Sequence, residues 1–136
     1  EAAVAAPAEE TADAACPERR AFHGLLTSQS SAYQQWQSRI MYHHWKKQKA
    51  LQGPCGDMGG FTRLCATKDG APDGLEKENP SIFAEQLSDE IIARHFHFGV
   101  LNRPHSVKIL LETPRLLEQI TSRRRAVPHT PPVARR

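Results

Sequence analysis

A chain of 136 residues with 39% hydrophobic content and negative mean hydropathy has room for one small domain and not for two. No apolar run approaches the ~20 residues that would cross a bilayer, and Ala2–Ala6 ends at Pro7, so any membrane anchor is expected outside these residues. The formal charge of +3 is uneven: Arg123, Arg124, Arg125, Arg135 and Arg136 hold the excess at one end, and without them the body is near −2.

Residues 1–20 are rich in Ala, carry Pro7 and Pro17 and show no apolar period, which predicts a flexible lead-in or stem. A short strand is expected over Ala21–Thr27, with Phe22, Leu25 and Leu26 as its apolar content, followed by a polar turn at Gln29–Ser31. The next segment carries the strongest local signal. Ser31 suits an N-cap with Gln34 three residues on, and Tyr33, Trp36, Ile40 and His44 recur at helical spacing, with Met41 and Trp45 widening the stripe. Lys46, Lys47 and Lys49 suit the negative end of the helix dipole, and Gly53-Pro54 stops the helix after about 20 residues. On period alone the stripe is its core-facing side.

Gly56, Gly59 and Gly60 mark a turn, Phe61–Ala66 a buried strand, and Asp69-Gly70 with Pro72-Asp73-Gly74 a loop. Strand, long helix and strand make a βαβ unit with parallel pairing. Over 79–98 the spacing of Phe83, Leu87 and Ile91 favours a helix, while Ser81–Ala84 also fits a short strand. Asn102 can cap a helix beginning at Arg103 or Pro104 with Val107, Leu110 and Leu111 inward; Thr113-Pro114 breaks or restarts it, and Leu116, Leu117 and Ile120 continue the apolar face. From Ser122 the Arg- and Pro-rich sequence has no period and reads as a disordered tail.

The three cysteines, Cys16, Cys55 and Cys65, exclude a dense disulfide framework and a zinc ribbon. Cys55 and Cys65 could pair in an oxidising compartment, or all three stay free with Cys65 packed in a strand. Of the seven histidines, His43-His44 diverge by about 100° on a helix, and His95 and His97 have no partner at ligand spacing, so surface or packing roles are expected and no metal site is identified. The run Gly56–Gly60 could offer backbone N–H groups to a phosphate, but it lies between helix and strand and lacks the dinucleotide and Walker patterns, so a tight turn is the simpler reading. Trp36 and Trp45 beside lysines suggest no specific nucleic-acid binding without a supporting fold pattern.

Three segments resemble the peptidyl hydroxyproline O-arabinosyltransferases of plants and green algae. The run Tyr33-Gln34-Gln35-Trp36-Gln37-Ser38-Arg39-Ile40-Met41-Tyr42 with Trp45-Lys46-Lys47 is similar to that family's first long helix. Gly56–Leu64 resembles the turn and strand that follow, and Val100-Leu101-Asn102-Arg103-Pro104 a strand-to-helix junction, in the same order. The resemblance covers roughly Phe22–Leu117. It implies an α/β chain, part of a GT-A-like nucleotide-sugar-binding fold with a βαβ start, between disordered N- and C-terminal tails. The expected domains are a stem over 1–20, a partial glycosyltransferase domain over 21–121 and a basic tail over 122–136.

The implied activity is transfer of L-arabinofuranose from its UDP derivative to hydroxyproline of cell-wall or secreted proteins, in the Golgi or secretory lumen. The implied partners are a UDP-sugar donor, a hydroxyproline-rich acceptor and a divalent metal such as manganese. Peptidyl-serine galactosyltransferases share the Trp-Gln helix in looser form, and a non-catalytic α/β interaction module with a basic tail is the reading from a different class. Thr27 and Ser28, at the end of the first strand, and Arg39, Asp57, Arg63, Asn102 and Arg103 are candidate donor or scaffold contacts; Arg39 and Arg63 could equally make ion pairs fixing the helix to the sheet. The family's acidic metal-binding segment, of Asp-x-Asp type in role, is expected after the helix with Leu110 and Leu117; Thr121-Ser122-Arg123-Arg124-Arg125 stands there instead. No Asp-x-Asp occurs in the sequence, so the chain is expected to be the N-terminal part of such an enzyme and inactive alone. The resemblance also favours a short strand near Ser81–Glu85.

Overall fold

The computed structural model of the protein describes Cys16 and residues 20–124. The expected stem and the tail beyond Arg124 otherwise lie outside the described residues. Three strands, β1 (Phe22–Gln29), β2 (Met58–Thr67) and β3 (Ser81–Glu85), form one sheet in the order β1-β2-β3. Both pairings are parallel, with Leu26 opposite Arg63 and Arg63 opposite Ser81. Helix α1 (Ala32–Gln52) makes the β1–β2 crossover, as the βαβ pattern requires. Three further helices follow the sheet: α2 (Asp89–Arg94), α3 (Asn102–Glu112) and α4 (Pro114–Arg124). The architecture is mixed α/β with an all-parallel sheet.

Strand alternation gives the sheet two unlike faces. One face carries Leu64, Ile82 and Ala84, which pack with Leu110 of α3 into the apolar core, ringed by Val107, Ile109, Leu116, Leu117 and Ile120. The other carries Ser28, Arg63, Cys65 and Ser81 and meets α1. Leu111, expected inward, is exposed, because Leu110 takes the contact one residue earlier. Thr113 does not propagate the helix and Pro114 opens a new one, so α4 is a restart; it runs to Arg124, into the tail expected from 122.

Helix α1 starts and stops where its signals place it: Ser31 Oγ accepts from Gln34 N at 3.2 Å, and Gly53 ends the helix at φ 72°. The Gln34 side chain differs from a simple capping box, because its Oε1 accepts from Gln29 N at 2.6 Å and ties the helix start to the end of β1. The expected core-facing stripe is turned outward. Tyr33, Trp36, Ile40 and Met41 are exposed, whereas Ser38 and Trp45 are buried with Gln34, Gln35, Tyr42 and Lys49 half-buried beside them. The sheet face beneath is polar near the strand ends, so Gln35 and Ser38 suit it; near the strand starts it offers Phe61, whose ring lies 5.4 Å from Trp45 and 5.0 Å from Tyr42.

One local boundary needs correction, and one open alternative is decided. The glycine-rich turn ends earlier than expected: β2 begins at Met58, and Gly59 lies inside it, where an added Cβ would sit 2.8 Å from the Phe22 carbonyl oxygen of β1. Over 79–98 the strand that the resemblance favours forms at Ser81–Glu85 and the helical spacing of Phe83, Leu87 and Ile91 is coincidental; only Asp89–Arg94 is helical, with Ser88 Oγ accepting from Ile91 N. No helix among the described residues is long and apolar enough to cross a membrane.

Cys55 is bonded to Cys16, not to Cys65. Cys65 is eight residues into β2, so about 23 Å of extended chain separates it from the strand's start, beyond the reach of a disulfide. Cys65 is the buried thiol packed in a strand that the alternative reading expects, and burial pushes its pKa up. The Cys16–Cys55 link spans 39 residues, and closing a loop of that size is worth about 4 kcal/mol on the chain-entropy relation. Cys16→Ser is therefore expected to lower the thermal midpoint by about 10 °C or more. Calorimetry of the variant against the oxidised chain checks this; an unchanged midpoint contradicts it.

Candidate functional site

The carboxyl ends of parallel strands are where an open α/β sheet can present a ligand to backbone groups and helix N-termini. Here that edge carries a concavity of about 400 Å³ lined by Ser30, Thr67, Lys68, Asp69, Ala71, Pro72, Asp73 and Gln86. Ser30 follows β1 and donates its N–H to Ala66 O at 3.2 Å; Gln86 follows β3 and donates its N–H to Thr67 O at 2.9 Å. The three strand ends are thereby stitched into one rim. The wall is the loop after β2, which folds back through Gly70 at φ 65°, a left-handed turn that glycine takes without strain.

Asp73 fixes that loop. Arg63 lies in mid β2 with its side chain fully buried, and the Asp73 side chain is only 4% exposed. Their pairing is bidentate: Arg63 Nη1 donates to Asp73 Oδ1 at 3.0 Å and Nη2 to Oδ2. The other Arg63 donors are also used, Nε on Ser28 Oγ at 3.0 Å, Nη1 on Ser81 Oγ at 3.3 Å and Nη2 on Cys65 Sγ at 2.9 Å. The guanidinium also lies 6.0 Å from the centre of the Phe83 ring. Asp73 accepts further from Gln35 Nε2 of α1 and from Leu75 N. Burial pushes the Asp73 carboxyl up, but the hydrogen bonds and charge of Arg63, with Gln35 and Leu75 N–H, outweigh it and hold the pKa at about 2.

Thr67 is the second feature of the rim. It is 5% exposed, and its Oγ1 is buried with no hydrogen-bond partner among the described residues. An unpaired buried hydroxyl costs about 1–3 kcal/mol, and Thr67 is one of the residues that line the concavity. Lys68 adds a cation next to it. Among the described residues no group of three or more His, Cys, Asp or Glu side chains is placed to hold a metal ion. With Asp73 committed to Arg63, the residues present do not fit a divalent metal.

Of the residues singled out from sequence, the structure brings only Ser28 and Arg63 into contact. Thr27 lies opposite Leu64 on the core-side face. Arg39 is on the exposed side of α1 in a bidentate ion pair with Glu78, at 2.8 and 2.9 Å, that ties the helix to the turn before β3. Asp57 lies at the opposite, amino end of the sheet, where its carbonyl accepts from Phe22 N. Asn102 does not cap α3, because the 3₁₀ turn Gly99–Leu101 already runs into that helix; its Oδ1 accepts from Leu87 N at 2.7 Å. Arg103 is exposed beside it. His95 and His97 are in a turn after α2 and His43 and His44 on the surface of α1.

Sequence reasoning missed Thr67, Lys68, Asp69, Asp73 and Gln86. The signal was present, since Asp69-Gly70-Ala71-Pro72-Asp73-Gly74 immediately follows the second parallel strand.

A family model described as the N-terminal domain of the hydroxyproline O-arabinosyltransferase family matches residues 22–124. The chain is 40% identical over 85 residues to hydroxyproline O-arabinosyltransferase 1 of Arabidopsis thaliana, covering 62% of this chain and 22% of that protein. It is 37% identical over 98 residues to hydroxyproline O-arabinosyltransferase RDN2 of Medicago truncatula, covering 72% and 25%. A second Arabidopsis thaliana protein, hydroxyproline O-arabinosyltransferase 3, is 38% identical over 97 residues, covering 71% and 25%. The chain thus spans about a quarter of the length of the curated relatives it matches. No solved structure matches it.

Asp73→Ala is expected to cost about 3–5 kcal/mol of stability, because it leaves a buried guanidinium without its counter-charge. Because the folded-state pKa of Asp73 is depressed, the stabilisation from its ionised form is full well above its ordinary value of 3.8 and is lost as pH falls through that value towards about 2. The pH-dependent part is worth roughly 2 kcal/mol. Urea unfolding across that acid range checks the sign: the parent chain should lose stability more steeply than the variant, and parallel curves contradict the assignment.

Proposed function

The chain belongs to the hydroxyproline O-arabinosyltransferase family through its N-terminal domain, and from that membership we propose that it forms the donor-side part of an enzyme that moves L-arabinofuranose from UDP-arabinofuranose to a peptidyl hydroxyproline hydroxyl. The β1-α1-β2-β3 unit, parallel throughout, supports a GT-A-like arrangement with the nucleotide diphosphate at the carboxyl ends of the strands. The observation that carries the reading is Thr67: a buried hydroxyl without a partner, in the lining of the one rim where a parallel sheet presents ligands.

In such a transfer the bond from the anomeric carbon to the diphosphate oxygen breaks, the hydroxyproline oxygen bonds to that carbon and gives up its proton to a base on the acceptor side, and negative charge grows on the departing UDP. The chain's own groups answer that charge. Lys68 supplies a cation at the rim, Thr67 Oγ1 can donate to a phosphate oxygen or a ribose hydroxyl, and α1 begins two residues beyond Ser30 with its positive end at the same edge. Ser28 and Arg63 serve this site from beneath, by fixing Asp73 and so the loop that walls it. The metal-binding carboxylates and the acceptor site for the hydroxyproline-rich partner belong, on this proposal, to the part of the family's length outside the chain, which by itself binds donor without turning it over. The Cys16–Cys55 disulfide supports an oxidising secretory lumen such as the Golgi as the working compartment.

Calorimetric titration with UDP, with and without manganese, tests the assignment. Binding is expected without metal and is expected to weaken by about fivefold in Thr67→Val, the loss of one hydrogen bond. No binding at millimolar UDP, or equal binding by the variant, removes this rim from the donor site.

A further inference from the structure

Helix α1 is inverted with respect to its own domain. At about 100° per residue, Tyr33, Ile40, His44 and Leu51 fall within about 20° of one line, with Trp36 some 60° to one side. The residues α1 turns to the sheet, Ser38, Tyr42 and Trp45, centre about 150° away, so this stripe points directly outward. Tyr33 is 67% exposed, Trp36 57% and Leu51 72%, and the stripe runs about 27 Å along the helix. The Tyr33 and Trp36 rings stack on each other 6.3 Å apart and leave their outer faces bare. A helix in the outermost layer of an α/β domain normally turns its polar side out. α1 has the pattern of an inner layer.

We propose that the outer face of α1 is the docking surface for the rest of a longer polypeptide, the three quarters of the family's length that this chain does not span. Two observations choose this occupant. The first is the size of the matched relatives, of which the chain covers 22–25%. The second is the make-up of the stripe. Gln37, His44 and Lys47 lie within it between the apolar side chains, and hydrocarbon would leave them unpaired, whereas a protein surface supplies partners. The helix carries Arg39, Lys46, Lys47 and Lys49 and no Asp or Glu, so a second copy of α1 would meet like charge, and the complementary surface is apolar with carboxylates at its rim. Arg39 already has Glu78, Lys49 is directed at Gly59 O and Lys46 lies over the Tyr42 ring on the sheet side, which leaves Lys47, about 40° from the centre of the stripe, to face such carboxylates. Docking there gives α1 protein on both sides and makes the βαβ unit the centre of the completed domain.

The test compares this 136-residue chain with the same chain joined to the residues that follow the matched region in the Arabidopsis thaliana relative. In Ile40→Cys, maleimide modification of residue 40, read by peptide mass, is expected to be fast in the short chain and slower by about tenfold or more in the joined polypeptide. Equal rates overturn the proposal. A second measurement stands on the short chain alone. Trp36→Glu with Ile40→Glu is expected to leave its thermal midpoint within about 2 °C, and to reduce binding of a hydrophobic dye. A fall of more than about 5 °C would show that the stripe packs inside this chain and overturn the proposal. So would a dimer in light scattering that the double variant dissociates, which assigns the face to a second copy. Sedimentation with phosphatidylserine-containing vesicles that the variant abolishes would overturn it in favour of a lipid surface.

Discussion

Removing a guanidinium from water costs several kcal/mol even after the protein relaxes around it, and a sheet keeps one at its centre only if every donor finds an acceptor. Arg63 meets that condition through partners drawn from four places: Ser28 on β1, Cys65 on β2 itself, Ser81 on β3 and Asp73 in the loop after β2. The consequence is geometric. All three strands contribute to a single charged centre, so their register and the fold-back of the loop over their ends are decided together. Because Gln35 also bonds Asp73, the first turn of α1 is drawn into the same arrangement. The polar side of the sheet, and with it the outward turn of the α1 apolar stripe, follows from having to accommodate this pair.

That dependence explains what the sequence did and did not disclose. Helix α1 was legible because Ser31, Gln34, the apolar spacing and Gly53 are local signals, and the parallel β1–α1–β2 unit followed from element order. The orientation of α1 was not legible. Its inner face is specified by Arg63 and Asp73, which lie beyond the end of the helix in the following strand and loop, and period alone favours the apolar side. Similarly, Phe83, Leu87 and Ile91 repeat at a helical interval, yet Ile82 and Ala84 fill the core only if Ser81–Glu85 is extended. Asn102 looked like a cap because nothing nearby in sequence announces its bond to Leu87. The cysteine pairing depended on knowing that Cys65 sits deep in a strand. In each case a contact distant in sequence overrode a sound local preference.

The proposed donor role rests on one edge of the sheet. The strand ends, the loop from Lys68 to Gly74 and the start of α1 form one edge with a cation, an unpartnered hydroxyl and a helix N-terminus. On the proposed reading, the hydroxyl, Lys68 and the helix N-terminus would meet the diphosphate, with Asp69 in the same lining and Asp73 held by Arg63. The residues picked out from sequence alone are distributed otherwise, and most of them secure the frame: Arg39 holds α1 to the β3 approach, Asn102 holds α3 to the loop after β3, and Ser28 with Arg63 holds the wall of the concavity.

On the proposed donor site, the Arg63–Asp73 pair sets the loop that walls it and is not a net source of stability. A buried ion pair can often be exchanged for apolar side chains of similar volume with little loss of stability, whereas removing one partner is costly. The most direct measurement is therefore urea unfolding together with UDP titration of the double variant Arg63→Met/Asp73→Leu. Stability is expected within about 2 kcal/mol of the parent chain, and UDP affinity is expected to fall by about tenfold or more because the loop has lost its anchor. A stable double variant that binds UDP as tightly as the parent would contradict it.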